Sequence, residues 1–266
     1  MPLTHGRHQP VLLLKEREKR SAMRRIQKIM MTTALVAATA AVARPAAAQQ
    51  WTDRGYANVT FGVQAPSRTL TTTTTFDIYG EPATQTATQD VGGGAFFDIA
   101  GGYKVWRNLA AGVGITFVGS KADLAVSALV PDPDFFDRPR AVSTTLSGAK
   151  YRETAVHLTG TWMMPMTEEF DIALQFGPTI FLVSQDVPGT LQVAEPGPTV
   201  TSAALLKDDH TTVGVHFGVD ATYLFTPRYG AGVVMRYSIG SVDIAGATDS
   251  LKVGGFNIGA GLRVRF

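Results

Sequence analysis

Ten ionisable residues fall on the polar side of segments that otherwise alternate apolar with small polar residues: Asp98, Lys104, Glu153, His157, Asp171, His216, Asp220, Arg236, Arg263 and Arg265. Acids and bases occur in similar number. Enclosed together, they could form a self-neutralising network of ion pairs, the form in which buried charge is tolerated. They could equally line a narrow gated pore in which a carboxylate such as Glu153 exchanges arginine partners. His157 and His216 have the chemistry of metal ligands or general bases, and also that of hydrogen-bonded members of the same network. His210 beside Asp208 and Asp209 has the residue types of an acid–base pair or a weak cation site. No nucleophile motif accompanies it, so no catalytic residue, metal or cofactor is expected. The glycines at Gly92 to Gly94 and after Gly112 lie in alternating segments with no helix following, which excludes a phosphate loop.

Residues placed this way need strands to hold them. Helical periodicity is weak, whereas period-two alternation recurs in eight segments: Gly55 to Gln64, Gly94 to Val105, Leu109 to Ser120, Tyr151 to Met163, Phe170 to Leu182, Thr212 to Phe225, Tyr229 to Gly240 and Phe256 to Phe266. The sixth is the cleanest. Val213, Val215, Phe217, Val219, Ala221, Tyr223 and Phe225 oppose Gly214, His216, Gly218, Asp220 and Thr222. Each segment has about the 9–11 residues of a tilted membrane strand, or slightly more. Connections alternate between tight turns, such as Trp106 to Asn108 and Thr226 to Arg228, and long stretches at Ala65 to Val91, Lys121 to Lys150 and Gln185 to His210. The Thr69 to Thr75 tract reads as an extension of the first strand or a mobile loop. Short and long connections alternating around an even strand number is the topology of an outer-membrane barrel.

Alternation alone does not say which face points outward. A soluble barrel packs apolar side chains inside and shows charge outside. Here the polar face is mostly Gly, Thr, Ser and Asn, a poor surface for water but suited to a narrow lumen. Tyr103, Trp106, Trp162, Phe170, Tyr223, Phe225 and Tyr229, with Phe266 at the chain end, fall next to the short turns and form an aromatic girdle at one interface. Backbone groups in hydrocarbon must be paired within the protein, so the eighth strand must close on the first.

The chain has 266 residues, 45% hydrophobic and 17% charged, and no Cys, which excludes disulfides and thiolate metal sites. Arg24, Arg25 and Lys28 precede an apolar stretch from Ile29 to Ala43 and small residues ending at Ala48, the three-part pattern of a cleaved secretory signal. The apolar run is too short to span a membrane as a helix. Residues 1–48 are therefore expected to be an N-terminal extension and signal peptide, with Met23 the true start, and 49–266 the barrel domain. Without the leader's nine Lys or Arg and two acidic residues, 15 basic and 20 acidic residues remain, a formal net charge of −5 against +2 for the whole chain. No basic footprint for nucleic acid survives.

An export signal, eight alternating segments, long outer connections and the terminal GLRVRF resemble the small outer-membrane β-barrel proteins of Gram-negative bacteria, the group that includes the OmpA barrel and OmpX-like proteins. The resemblance spans Trp51 to Phe266. It implies an all-β, eight-stranded antiparallel up-and-down transmembrane barrel in the cell outer membrane, monomeric and with outer-membrane lipid around it. It also implies that Leu262, Val264 and Phe266 form the signal read by the barrel assembly machinery. The function expected is non-enzymatic: a porin-like narrow solute pathway or structural membrane role, or surface adhesion to an extracellular ligand through the long loops. A lipid-modifying barrel enzyme is the third class.

Overall fold

The computed structural model describes residues 50–65, 68–91, 93–243 and 250–266. The expected leader and its start site lie outside the described residues, as does Gly92.

Twelve strands are described: β1 (Gly55–Gln64), β2 (Arg68–Ile78), β3 (Glu81–Val91), β4 (Gly94–Trp106), β5 (Leu109–Val130), β6 (Arg140–Pro165), β7 (Phe170–Pro188), β8 (Gln192–Ala194), β9 (Thr199–Ser202), β10 (Leu205–Leu224), β11 (Tyr229–Val242) and β12 (Leu251–Arg265). Eight of them form an antiparallel ring, β1-β4-β5-β6-β7-β10-β11-β12. The ring closes where Tyr56 to Gln64 of β1 pair with Arg265 to Asn257 of β12. Each of the eight predicted segments lies on one ring strand.

The exposed side of the ring is apolar. Val59, Phe61, Ile99, Val113, Ile115, Phe217, Val233 and Leu262 all point outward. A continuous apolar band of this kind is stable against lipid, not water. The tight turns lie at one end, with Gln50 and Phe266. Two of those turns are built alike: Thr167 Oγ1 accepts from the backbone N–H of Phe170, and Thr226 Oγ1 accepts from that of Tyr229. All eight aromatics expected to form the girdle are at this turn end, exposed on the outer face.

The far end differs from the sequence expectation. The long connections are largely sheet. β5 and β6 continue well past the apolar band, and Lys121 to Val130 pair with Arg140 to Lys150 across the predicted loop. The threonine tract is neither an extension of β1 nor a loop. It is β2, one arm of a hairpin with β3 that turns at Tyr79 and Gly80, where φ is 57° and 82°. Two successive positive φ values match the right-handed twist of a two-residue hairpin. β3 then pairs with the upper part of β5, where β4 has ended. The small hairpin β8-β9 packs on the inner side of this wall. Its neighbourhood supplies Leu191, Val193 and Val200 to an apolar cluster with Leu124, Val126, Ala128, Val130 and Val142.

Candidate functional site: the lumen

Ring strands put every second residue inside, so the lumen is built by the small polar face. Of the ten residues predicted there, nine are buried. Three arginine–carboxylate pairs cross the interior: Arg236 with Asp98 at 2.7 Å, Arg263 with Asp220 at 2.7 Å and Arg265 with Asp171 at 2.8 Å. Each joins strands that are not neighbours in the ring or lie far apart in sequence. A desolvated guanidinium is tolerated because its partner is charged and other donors find acceptors, although Arg236 Nε and Arg265 Nε are buried without one. Arg236 also donates to Thr116 Oγ1 and Gln175 Oε1, and Arg263 to Thr60 Oγ1.

The two predicted histidines sit 4.7 Å apart, edge to face. They belong to one chain of hydrogen bonds: Asp98 accepts from Thr116, Thr116 meets His157 Nε2 at 3.0 Å, His157 Nδ1 meets Thr179, and Thr179 meets His216 Nδ1. Every ring nitrogen is engaged, His216 Nε2 with Thr159. No group of three or more metal-ligating side chains occurs among the described residues.

Glu153 departs from the gate picture. Its carboxylate accepts from Tyr151 Oη at 2.6 Å and from the Gly254 backbone N–H at 2.9 Å, and among the described residues no cation lies within ion-pair distance. Lys104 is half-buried at the turn-end rim, not within the lumen network. Its Nζ donates to the Trp51 carbonyl and sits 5.6 Å from that indole. The lysine stem is long enough to carry its charge to the edge. His210 pairs with Asp208 at 2.8 Å, and Lys207 with Asp209 at 2.8 Å, both beyond the lumen.

Sequence reasoning missed two apolar layers that seal the lumen. At the turn end, Trp51 precedes β1 and folds inward against Tyr56, Ala110, Met163 and Ala173. The Arg265 guanidinium lies 5.8 Å from its ring and 5.9 Å from that of Tyr56. At the far end, Leu70, Tyr151, Phe181, Val183, Val242, Leu251 and Val253 pack together. The signal for the second layer was the inner-face glycine: Phe181 lies over Gly214 and Gly240, where an added Cβ would approach it to 2.9 and 3.0 Å. Phe96 occupies space opened by Gly62 and Gly259 in the same way. Between the layers, the cavity beside Tyr56, Asn58, Gln175 and Asp220 has a volume of about 10 Å³. That is room for one water.

The sequence matches the family described as Outer membrane protein beta-barrel domain over residues 33–263. Among curated proteins, none matches the chain. Similar solved structures include OprG of Pseudomonas aeruginosa, 11% identical, covering 80% of this chain and 96% of that one, with a TM-score of 0.43. Neisserial surface protein A is 13% identical over 80% and 97%, with a TM-score of 0.38. Ail, the attachment invasion locus protein of Yersinia pestis, is 8% identical over 79% and 99%, with a TM-score of 0.35. The match over most of its length, on a closed eight-stranded ring with an apolar exterior, makes this chain a member of the outer membrane protein beta-barrel domain family.

Proposed function

We propose that this protein is an integral, monomeric barrel of the Gram-negative outer membrane, exported through its signal peptide and inserted by the barrel assembly machinery. In this reading it catalyses no reaction and conducts no solute. It works through the strands that stand beyond the lipid, as a surface-interaction element toward an extracellular ligand. The observation that carries the reading is the sealed lumen, with paired arginines between two apolar layers and a water-sized cavity.

A narrow solute path has less support, because among the described residues an apolar cluster lies across the lumen at each end. The far-end wall supports the surface role. It has its own apolar cluster, so it presents a fixed shape, and Phe135 and Phe136 are exposed at its tip. The deciding test is single-channel conductance of the protein purified from membranes, after a heat-dependent gel shift establishes that the barrel is folded. A silent bilayer is expected. Discrete steps altered by Arg236→Ala or Arg263→Ala would overturn the reading and move the function to the lumen.

A further inference from the structure

Four carboxylates are buried among the described residues, Asp98, Glu153, Asp171 and Asp220, against three guanidiniums, Arg236, Arg263 and Arg265. Each arginine pairs with one aspartate. Glu153 is the carboxylate left over. His157 and His216 do not reach it, because they are tied through Thr116 and Thr179 to the Asp98–Arg236 pair. A buried charge without a counter-charge is among the most unfavourable groups a folded interior can hold.

Along its own wall Glu153 has apolar neighbours. Its direct cross-strand partners are Val118 on β5 and Val183 on β7, both buried. On β6 it stands between Tyr151 and Ala155, two members of the far-end apolar layer. Only the Tyr151 hydroxyl turns toward it, donating to Oε2.

Polar atoms gather on the opposite side, around Gly254 and Gly255 of β12. There φ is 85° and 143°, backbone that glycine adopts without steric cost, and the Gly254 N–H donates to Glu153 Oε2 at 2.9 Å. An added Cβ at Gly254 would meet Ser238 Oγ at 2.9 Å, and one at Gly255 would lie 3.6 Å from Gln64 Cγ and 3.8 Å from its Cδ. Ser238 and Gln64 are each 2% exposed. Both ends of the Gln64 amide, Oε1 and Nε2, are buried with no hydrogen-bond partner among the described residues. Buried amides are ordinarily satisfied, so a bare one near an unpaired carboxylate points to a ligand that serves both.

The atoms on offer fix the chemistry of that ligand. A carboxylate, an amide carbonyl and a hydroxyl are all oxygen donors, the set that suits a hard cation. One carboxylate carries one negative charge, so a single positive charge balances it, whereas a divalent ion would bury a surplus.

We infer that Glu153, Gln64 and Ser238 form a binding site for one monovalent alkali cation, with Tyr151 and the Gly254 N–H fixing the carboxylate. The ion is resident and not in transit, because the site lies within the far-end apolar layer.

The test unfolds the purified protein in urea, refolds it in detergent micelles with radioactive sodium, and removes free ion on a desalting column. The wild-type barrel, identified by its heat-dependent gel shift, is expected to retain about one sodium per molecule and to release it on unfolding. Glu153→Gln should retain roughly a tenth of that or less. Asp209→Asn, beyond the lumen, should retain as much as wild type. With sodium at about a hundredfold excess over its Kd, the folded-to-unfolded ratio should exceed that in choline chloride of equal ionic strength by about a hundredfold. Glu153→Gln should show no such preference.

A wild-type barrel that retains no sodium and is equally stable in both salts would overturn the site. Equal retention by Glu153→Gln would also overturn it, by placing the ion elsewhere. Where Glu153→Gln loses the gel shift, Gln64→Leu decides: it keeps the carboxylate and should cut retention severalfold, and full retention would again overturn the site.

Discussion

Arg236 and Asp98 are 138 residues apart in the chain and 2.7 Å apart across the lumen. The pair ties β11 to β4, with β12 and β1 between them in the ring. Removing one partner strands a buried charge. Arg236→Ala is therefore expected to destabilise the barrel by about 3–5 kcal/mol, measured by urea unfolding in micelles. The double variant Arg236→Met, Asp98→Leu should recover most of that loss. An Arg236→Ala protein as stable as wild type would show that the lumen is wet enough to solvate Asp98.

The far-end apolar layer makes a packing prediction. Gly240 is buried, and an added Cβ there would meet Phe181 Cδ2 at 3.0 Å and Val253 Cγ2 at 3.1 Å. Gly240→Val should overpack the site and cost about 1–3 kcal/mol. Phe181→Ala alone should cost about 3–5 kcal/mol. Combined, they should cost clearly less than their sum, because one relieves the crowding caused by the other. Strict additivity in unfolding free energies would contradict the observed contact.

At the tip of the wall, Arg140 donates to Glu195 at 2.9 Å and pairs with Asp132 at 3.5 Å, so the β8-β9 hairpin is clasped to β6. The hydrogen bond from Arg140 holds the Glu195 carboxyl below its usual value of 4.5. A group whose value is lowered by folding contributes stability above its unfolded value, and loses it as the pH falls through the folded one. Hydrogen exchange of the hairpin should therefore be pH-independent in its protection near neutrality and accelerate relative to the intrinsic rate below about pH 4. Arg140→Ala should show the loosened hairpin at neutral pH. Protection unchanged down to full protonation would remove the clasp.

Substitution of Phe266 is expected to separate assembly from stability. Its carbonyl accepts from the N–H groups of Arg54 and Gly55 at 2.7 Å each, bonds that any residue could make, while its ring is exposed. Phe266→Ala should leave the unfolding midpoint of refolded protein within about 0.5 kcal/mol of wild type, yet lower the amount of folded barrel recovered from cell membranes. Equal recovery would mean that the ring serves only as an interfacial anchor.

The eight ring strands were legible because lipid and lumen impose opposite chemistry on successive residues. Val213, Val215 and Phe217 against Gly214, His216 and Gly218 can be read without coordinates. The wall was harder to read. Along β5 the apolar residues stand at Val113, Ile115 and Phe117, pointing out, and then at Leu124, Val126, Ala128 and Val130, pointing in. The phase reverses where the strand leaves lipid for water, and a reading that looks for one phase ends the strand there. The sealed lumen was hidden for a different reason. Composition shows glycines on the inner face, but only the register shows that Phe181 and Phe96 lie over them. Glu153 was grouped with the arginines by charge, although its partners are a phenol and a backbone N–H, which no count of acids and bases can reveal.

The seam between β1 and β12 has a consequence in time. The last described strand holds the first, and Arg263 reaches back 203 residues to Thr60. A chain cut short anywhere before Leu251 would leave both β1 and its own last strand with open edges, and hydrocarbon offers no substitute partner for either. A copy without β12 thus cannot close the ring, however well its other strands pair.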